Sequence, residues 1–95
     1  MAADSRPLLV FFGASHSGPA RRMESLVAHL ARKERARLRV TQVDVQAQPE
    51  LAQRFHVTTV PTLALVKGKR VVDRLEGRVS APHIERMLAR HLVTT

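Results

Sequence analysis

Apolar residues in this chain fall into two kinds of pattern. Leu8-Leu9-Val10-Phe11-Phe12 is an uninterrupted apolar run of five. A run of that kind suits a strand covered on both faces, near the centre of a sheet. Gly13-Ala14-Ser15 ends it. Met23, Leu26, Val27 and Leu30 then recur at i, i+3, i+4 and i+7, which places them on one face of a helix. Pro19 suits the first turn of that helix and Ser17 its N-cap. Arg32, Lys33 and Arg35 close it, where positive charge meets the negative end of the dipole.

Residues 38–45 read as a second strand, with Leu38, Val40, Val43 and Val45 as its apolar members and Arg37, Arg39 and Thr41 on the alternate positions. Arginines on a strand mark an edge guarded against pairing with other chains. Pro49 and Glu50 start a short helix whose inner side is Leu51, Ala52 and Phe55, ending near His56. Leu63-Ala64-Leu65-Val66 is a third strand. Lys67-Gly68-Lys69 turns it and residues 70–75 return, as in a hairpin. Gly77 breaks the return strand. Ser80 is placed to cap a last helix, with Pro82 in its first turn and Ile84, Met87, Leu88 and Leu92 as its apolar stripe. The order is β-α-β-α-β-β-α, an α/β chain with one domain over 7–95 behind a loose tail over 1–6. A helix joins the first two strands, so they run parallel with a right-handed crossover.

Composition narrows the chemistry. None of the 95 residues is cysteine, which rules out disulfides, thiolate metal sites and every thiol mechanism. The five histidines (16, 29, 56, 83 and 91) lack metal-ligand spacing, so neither metal nor cofactor is expected. No apolar run approaches the roughly 18 residues of a transmembrane helix, and no membrane association is expected. The apolar run at 8–12 is too short for a signal-peptide core, so the cytoplasm is the expected compartment. Sixteen Lys and Arg against eight Asp and Glu give a net charge of +8, which would suit an acidic partner or nucleic acid. Thirteen of the sixteen are Arg, a bias that GC-rich coding also produces. With no Tyr, no Trp and three Phe, a base-stacking platform is disfavoured.

Several short motifs occur in a telling order. The strand and loop at 9–14 precede Ser17-Gly18-Pro19-Ala20; Val43-Asp44-Val45 is followed by Pro49; Val60-Pro61-Thr62 precedes the hairpin; Gly77 follows the last strand. In this the chain resembles the thioredoxin family over about residues 8–92. The resemblance implies a minimal thioredoxin fold, a four-stranded mixed sheet flanked by helices, without the N-terminal strand and helix of full-length thioredoxins. It also implies a cis bond before Pro61 and a substrate groove lined by residues 14–22, Val60 and Pro61, and the loop near Gly77. In that groove the Val60 backbone would pair with an extended peptide.

The departures are as informative as the matches. The two redox cysteines map to Ser17 and Ala20, the preceding aromatic residue to His16, the buried proton-shuttle acid to Phe11, and a nearby lysine to Gln42. Family chemistry depends on a thiolate whose pKa is depressed at a helix N-terminus. A serine hydroxyl ionises far higher and forms no disulfide, so no catalytic residue is assigned. One origin is a naturally redox-dead relative, a protein- or peptide-binding module using His16, Ser17, Gly18, Pro19, Arg21, Val60, Pro61 and Gly77. A second is a thiol-disulfide oxidoreductase whose cysteines were replaced by Ser17 and Ala20; the missing acid speaks against it. A third reading is a basic nucleic-acid-associated protein. Ser17 as a nucleophile would need a base, and adjacent His16 is poorly placed to be one. Arg21 and Arg22 oppose the dipole in the first turn, which favours a use for them, such as an acidic partner. The five basic residues within 32–39 are accounted for by a helix end and an edge strand. A monomer, or a weak homodimer through the 38–45 edge, is expected.

Overall fold

A computed structural model describes residues 6–14 and 18–92, with the side chains of 18–21 left out of the description. Ser15, His16 and Ser17 therefore lie outside the described residues, as does all of the expected tail except Arg6. The elements are β1 (Leu8–Gly13), α1 (Gly18–Lys33), β2 (Arg39–Asp44), α2 (Pro49–Arg54), β3 (Thr62–Lys67), β4 (Arg70–Glu76) and α3 (Ala81–His91). They form one four-stranded sheet in the order β2-β1-β3-β4. β1 pairs with β2 in parallel and with β3 antiparallel, and β3–β4 is the hairpin.

The apolar run of β1 lies inside the sheet, and five of its six residues are buried. Alternate side chains of a strand point to opposite faces, so β1 feeds two cores. Leu9 and Phe11 join Leu63 and Leu65 of β3 under Met23, Val27 and Leu30 of α1 and Ile84, Met87 and Leu88 of α3. Each fully buried side chain of this size contributes roughly 1.5–3 kcal/mol of transfer free energy. Val10, Phe12, Val43 and Ala64 form a smaller core on the other face, against Leu51 of α2 and Phe55 just beyond its end. The Phe12 and Phe55 rings lie 5.1 Å apart at 53°, a tilted geometry of the kind that aromatic quadrupoles favour.

Several local expectations are corrected. The apolar residues of 38–45 do not share a face. Leu38 and Val40 belong to the larger core, whereas Val43 and Val45 belong to the smaller one. The three-residue step from Val40 to Val43 breaks the two-residue period and switches sides. Thr41 and Gln42, between them, are exposed. The hairpin turn has two residues, not three, because Lys67 pairs with Arg70. Gly68 at its first position has φ 63, the left-handed backbone that such a tight turn needs. Helix α1 ends at Lys33, which leaves Arg35 in the turn beyond it. Helix α2 ends at Arg54 and has no fully buried residue; Leu51, Ala52 and Phe55 are half-buried. Ser80 stands at the N-cap of α3 but its hydroxyl makes no cap hydrogen bond. It lies 2.8 Å from Nδ1 of His83 instead.

The C-terminus of α2 closes in an unusual way. The His56 N–H donates to Gln53 O and the Val57 N–H to Ala52 O, the pair of bonds that defines a Schellman motif. That motif puts one residue in the left-handed region, usually glycine; here His56 has φ 56. Arg74 of β4 reaches across and donates from Nη1 to Phe55 O (2.9 Å) and from Nη2 to His56 O (3.2 Å). It thereby holds the strained turn against the sheet.

Candidate functional site

Strand registry brings the three expected groove segments to one end of the sheet. Phe12 is opposite Thr62, so Gly13 and Ala14 leave β1 beside the start of β3, where Pro61 sits. Thr62 is opposite Glu76, so Gly77 leaves β4 at the same end. Helix α1 begins only four residues after Ala14, which places the backbone of Gly18, Pro19, Ala20 and Arg21 there as well. His16 and Ser17, including the Ser17 cap, fall in the part that is not described.

The Val60–Pro61 peptide bond is cis. Pro61 is buried and Val60 half-buried. Two hydrogen bonds hold this loop. The Gly77 N–H donates to Pro61 O at 2.8 Å, and the Thr62 hydroxyl, fully buried, donates to Thr59 O at 2.6 Å. Gly77 itself has φ 81, a conformation that side-chain-bearing residues rarely adopt. Among the described residues, nothing pairs with the main-chain N–H or C=O of Val60. An open donor and acceptor at a strand end can extend the ladder to an added chain.

Beside the groove a cavity of about 220 Å³ opens between the C-terminal ends of β1 and β2 and the first turns of α1. Phe11, Gly13, Ala14, Glu24, Gln42, Val43 and Asp44 line it. Phe11 and Gln42 are cross-strand partners. At these two positions the family resemblance would place an acid and a lysine. A phenyl ring and an amide exchange no proton near neutral pH, so the cavity lacks that acid–base pair. Glu24 and Asp44 are its two carboxylates, and neither stood out in the sequence. Glu24 is one polar residue among many on the outer face of α1. Asp44 reads as a turn former, and its Oδ1 does accept the Gln46 N–H at 2.8 Å.

A carboxylate with a perturbed titration lies elsewhere. Asp73 of β4 accepts from Arg90 Nη2 at 2.9 Å and is 3.0 Å from His91 Nε2. The Arg90 hydrogen bond holds its carboxyl below the ordinary 3.8, helped by His91 and the Arg74 N–H and opposed by partial burial. This cluster ties the end of α3 to β4, near the opposite end of the sheet from Pro61. No group of three metal-ligating side chains is present among the described residues. None of their helices is long and apolar enough to cross a membrane.

A four-stranded mixed sheet, three helices and a cis-proline loop at the α1 end define the thioredoxin-fold class of protein. The thioredoxin family matches residues 1–90, and the chain belongs to that family. Thioredoxin 1 of Nostoc is 30% identical over 86 residues, which cover 90% of this chain and 80% of the relative. The bifunctional thioredoxin reductase/thioredoxin of Mycobacterium leprae is 33% identical over 75 residues, but the chain spans only 16% of that protein. Among solved structures, the germline-specific thioredoxin Deadhead of Drosophila melanogaster superposes with a TM-score of 0.86 at 30% identity, covering 93% of this chain and 83% of that one.

Proposed function

We propose that this protein is a redox-inactive thioredoxin-like module that binds a protein or an extended peptide in the former active-site groove, without catalysis. The observation that supports it most is the contrast at the groove. The frame is retained, with Pro61 cis and bonded through its carbonyl to Gly77. The sequence meanwhile carries no cysteine, and Ser17 and Ala20 stand where the thiols would be. The open backbone of Val60 supplies the pairing edge. Residues 14–22, with His16 and Arg21, supply side-chain contacts, and the arginines would suit an acidic segment. The expected setting is cytoplasmic, with the protein acting as a monomer or as a weak dimer through β2.

A photo-crosslinking side chain at position 60 tests this in the native host. It should trap a defined protein, while the same group at exposed Arg86 on α3 should not. Substituting His16→Ala together with Val60→Asp should abolish the trapped product. If trapping is equal at both positions, or survives that double change, the groove is not the binding site. The purified protein should also fail to reduce insulin disulfides; turnover above the uncatalysed rate would overturn the assignment as a non-enzyme.

A further inference from the structure

The fold gathers most of the positive charge at the end of the sheet away from Pro61. Helix α1 ends at Lys33, and Arg32, Lys33, Arg35 and Arg37 lie in its last turn and the turn beyond. β2 starts at Arg39, beside Leu8 of β1 and so close to Arg6. Leu8 is also opposite Val66, which brings Lys67, Lys69 and Arg70 at the hairpin to the same end. Helix α3 finishes there too: Arg90 bonds Asp73, and the Leu92 carbonyl accepts from Arg37. Ten of the sixteen Lys and Arg thus share one pole. Three carboxylates lie among them, and each is already engaged: Glu34 by Arg37, Asp73 by Arg90 and Glu85 by Lys33. The rest of residues 6–92 carries six Lys and Arg against four Asp and Glu.

Folding accounts for only part of this. Positive charge at a helix C-terminus answers the dipole, which explains Arg32, Lys33 and Arg90, and Arg39 guards an edge strand. Arg35 lies past the end of α1, and Lys67, Lys69 and Arg70 are on no helix. These four and Arg32 are exposed, with no ion-pair partner among the described residues. Lys67 and Arg70 are directly opposite across the hairpin, a like-charge pairing that costs stability. Lys67 shares its face with Leu63 and Leu65, so the pair points to the side that carries α1 and α3.

We infer that this pole binds the phosphate backbone of a nucleic-acid duplex without reading its sequence. Phosphates would relieve the repulsion that the fold leaves uncompensated. From β2 to β4 the pole is three strand spacings wide, about 14 Å, enough to reach phosphates on both sides of a major groove about 12 Å across. The two helix dipoles that end here oppose an anion by only about half a charge each. No ring is presented for base stacking, because Phe11 and Phe12 are buried and Phe55 is half-buried. The centre of an ordinary protein interface is poor in charge and rich in aromatics, the reverse of this pole. Attachment to an anionic membrane takes an acyl chain or an inserted apolar face besides basic residues. Helices α1 and α3 turn their apolar stripes into the core, and one exposed Val71 is too little to insert. The groove lies at the opposite end of the sheet, so the two surfaces stand or fall separately.

Fluorescence anisotropy with a labelled DNA duplex of about 20 base pairs tests this. Affinity should fall with salt along a log–log slope of about −4 to −5, as expected for roughly five phosphates. Two variants remove separate parts of the pole: Arg32→Glu with Arg35→Glu, and Lys67→Glu with Arg70→Glu. Each should lower the affinity about tenfold or more and make the slope shallower by about two. Arg54→Glu with Arg78→Glu makes the same change of net charge away from the pole and should cost less than about threefold. All six positions are exposed, and unchanged circular dichroism spectra would show that the fold persists. The inference is overturned by a slope shallower than about −2, or by a control variant that loses as much as the pole variants. A preference of more than about tenfold for one duplex sequence over another would also overturn it. So would tighter binding of a polyglutamate peptide or of phosphatidylserine vesicles than of the duplex.

Discussion

The two faces of this sheet receive the same strands and end up very different. Among the described residues, the α1/α3 face holds twelve buried apolar residues and the α2 face four. Strand composition does not cause the difference, since β1 and β3 send apolar side chains to both sides. Helix length does. α1 and α3, with 16 and 11 residues, present stripes long enough to cover the strands. α2, with six, covers one end; toward the other, Leu8 and Val66 are half-buried and Val71 is exposed. A core is complete only where the covering layer is as long as the surface beneath it.

If that is correct, truncating matched residues on the two faces should have unequal effects. Leu65→Ala, in the large core, is expected to cost about 2–5 kcal/mol. Leu8→Ala, half-buried at the start of β1, should cost roughly 1 kcal/mol or less, because less apolar area is lost from burial. Urea denaturation of both variants measures this, and equal losses would refute the contrast.

The next effect concerns the clamp that makes α2's face hold at all. Arg74→Ala removes two charged donors from Phe55 O and His56 O and is expected to destabilise by about 1.5–3 kcal/mol. Arg74→Lys should recover only part of it, because an ammonium lacks the fork that reaches both carbonyls. His56→Gly should act in the opposite direction and stabilise by about 1 kcal/mol, by relieving a left-handed side-chain-bearing residue. A lowered melting temperature for His56→Gly would mean that the imidazole makes up for the strain.

The smallest effect lies on the α3 face. Asp73 is held below its ordinary 3.8, chiefly by Arg90. A carboxyl with a depressed folded-state pKa binds its proton more readily when unfolded. Its contribution is therefore complete above 3.8 and is lost as pH falls below that value through the folded pKa. The pair is partly solvated, so the contribution should be under about 1 kcal/mol. Stability measured from neutral pH down to acid should fall less steeply in Asp73→Asn than in the parent. Parallel curves would show that the cluster is thermodynamically silent.

Much of the fold was legible because it is written in local periodicity. The β1 run and the stripes of α1 and α3 each gave an element close to the observed one. That Gly18-Pro19, Val60-Pro61 and Gly77 meet at one end of the sheet came from the family resemblance and not from periodicity. What escaped was partly fine local geometry and partly non-local packing. Ser80 reads as a cap, yet its hydroxyl lies beside His83. Lys67 reads as a turn residue, yet pairing with Arg70 makes it strand. Glu24 and Asp44 are 20 residues apart in sequence and meet in one cavity only because β1 and β2 pair in parallel beneath α1.

Order and type of elements, the lack of any thiol and the excess of positive charge all follow from the chain read residue by residue, because each is a local or additive property. The side of the sheet that Val40 and Val43 each face, the bond from Gly77 to Pro61, and the exposure of Val71 do not. They depend on strand register and on how far one short helix reaches, and those are settled only when distant segments pack against each other.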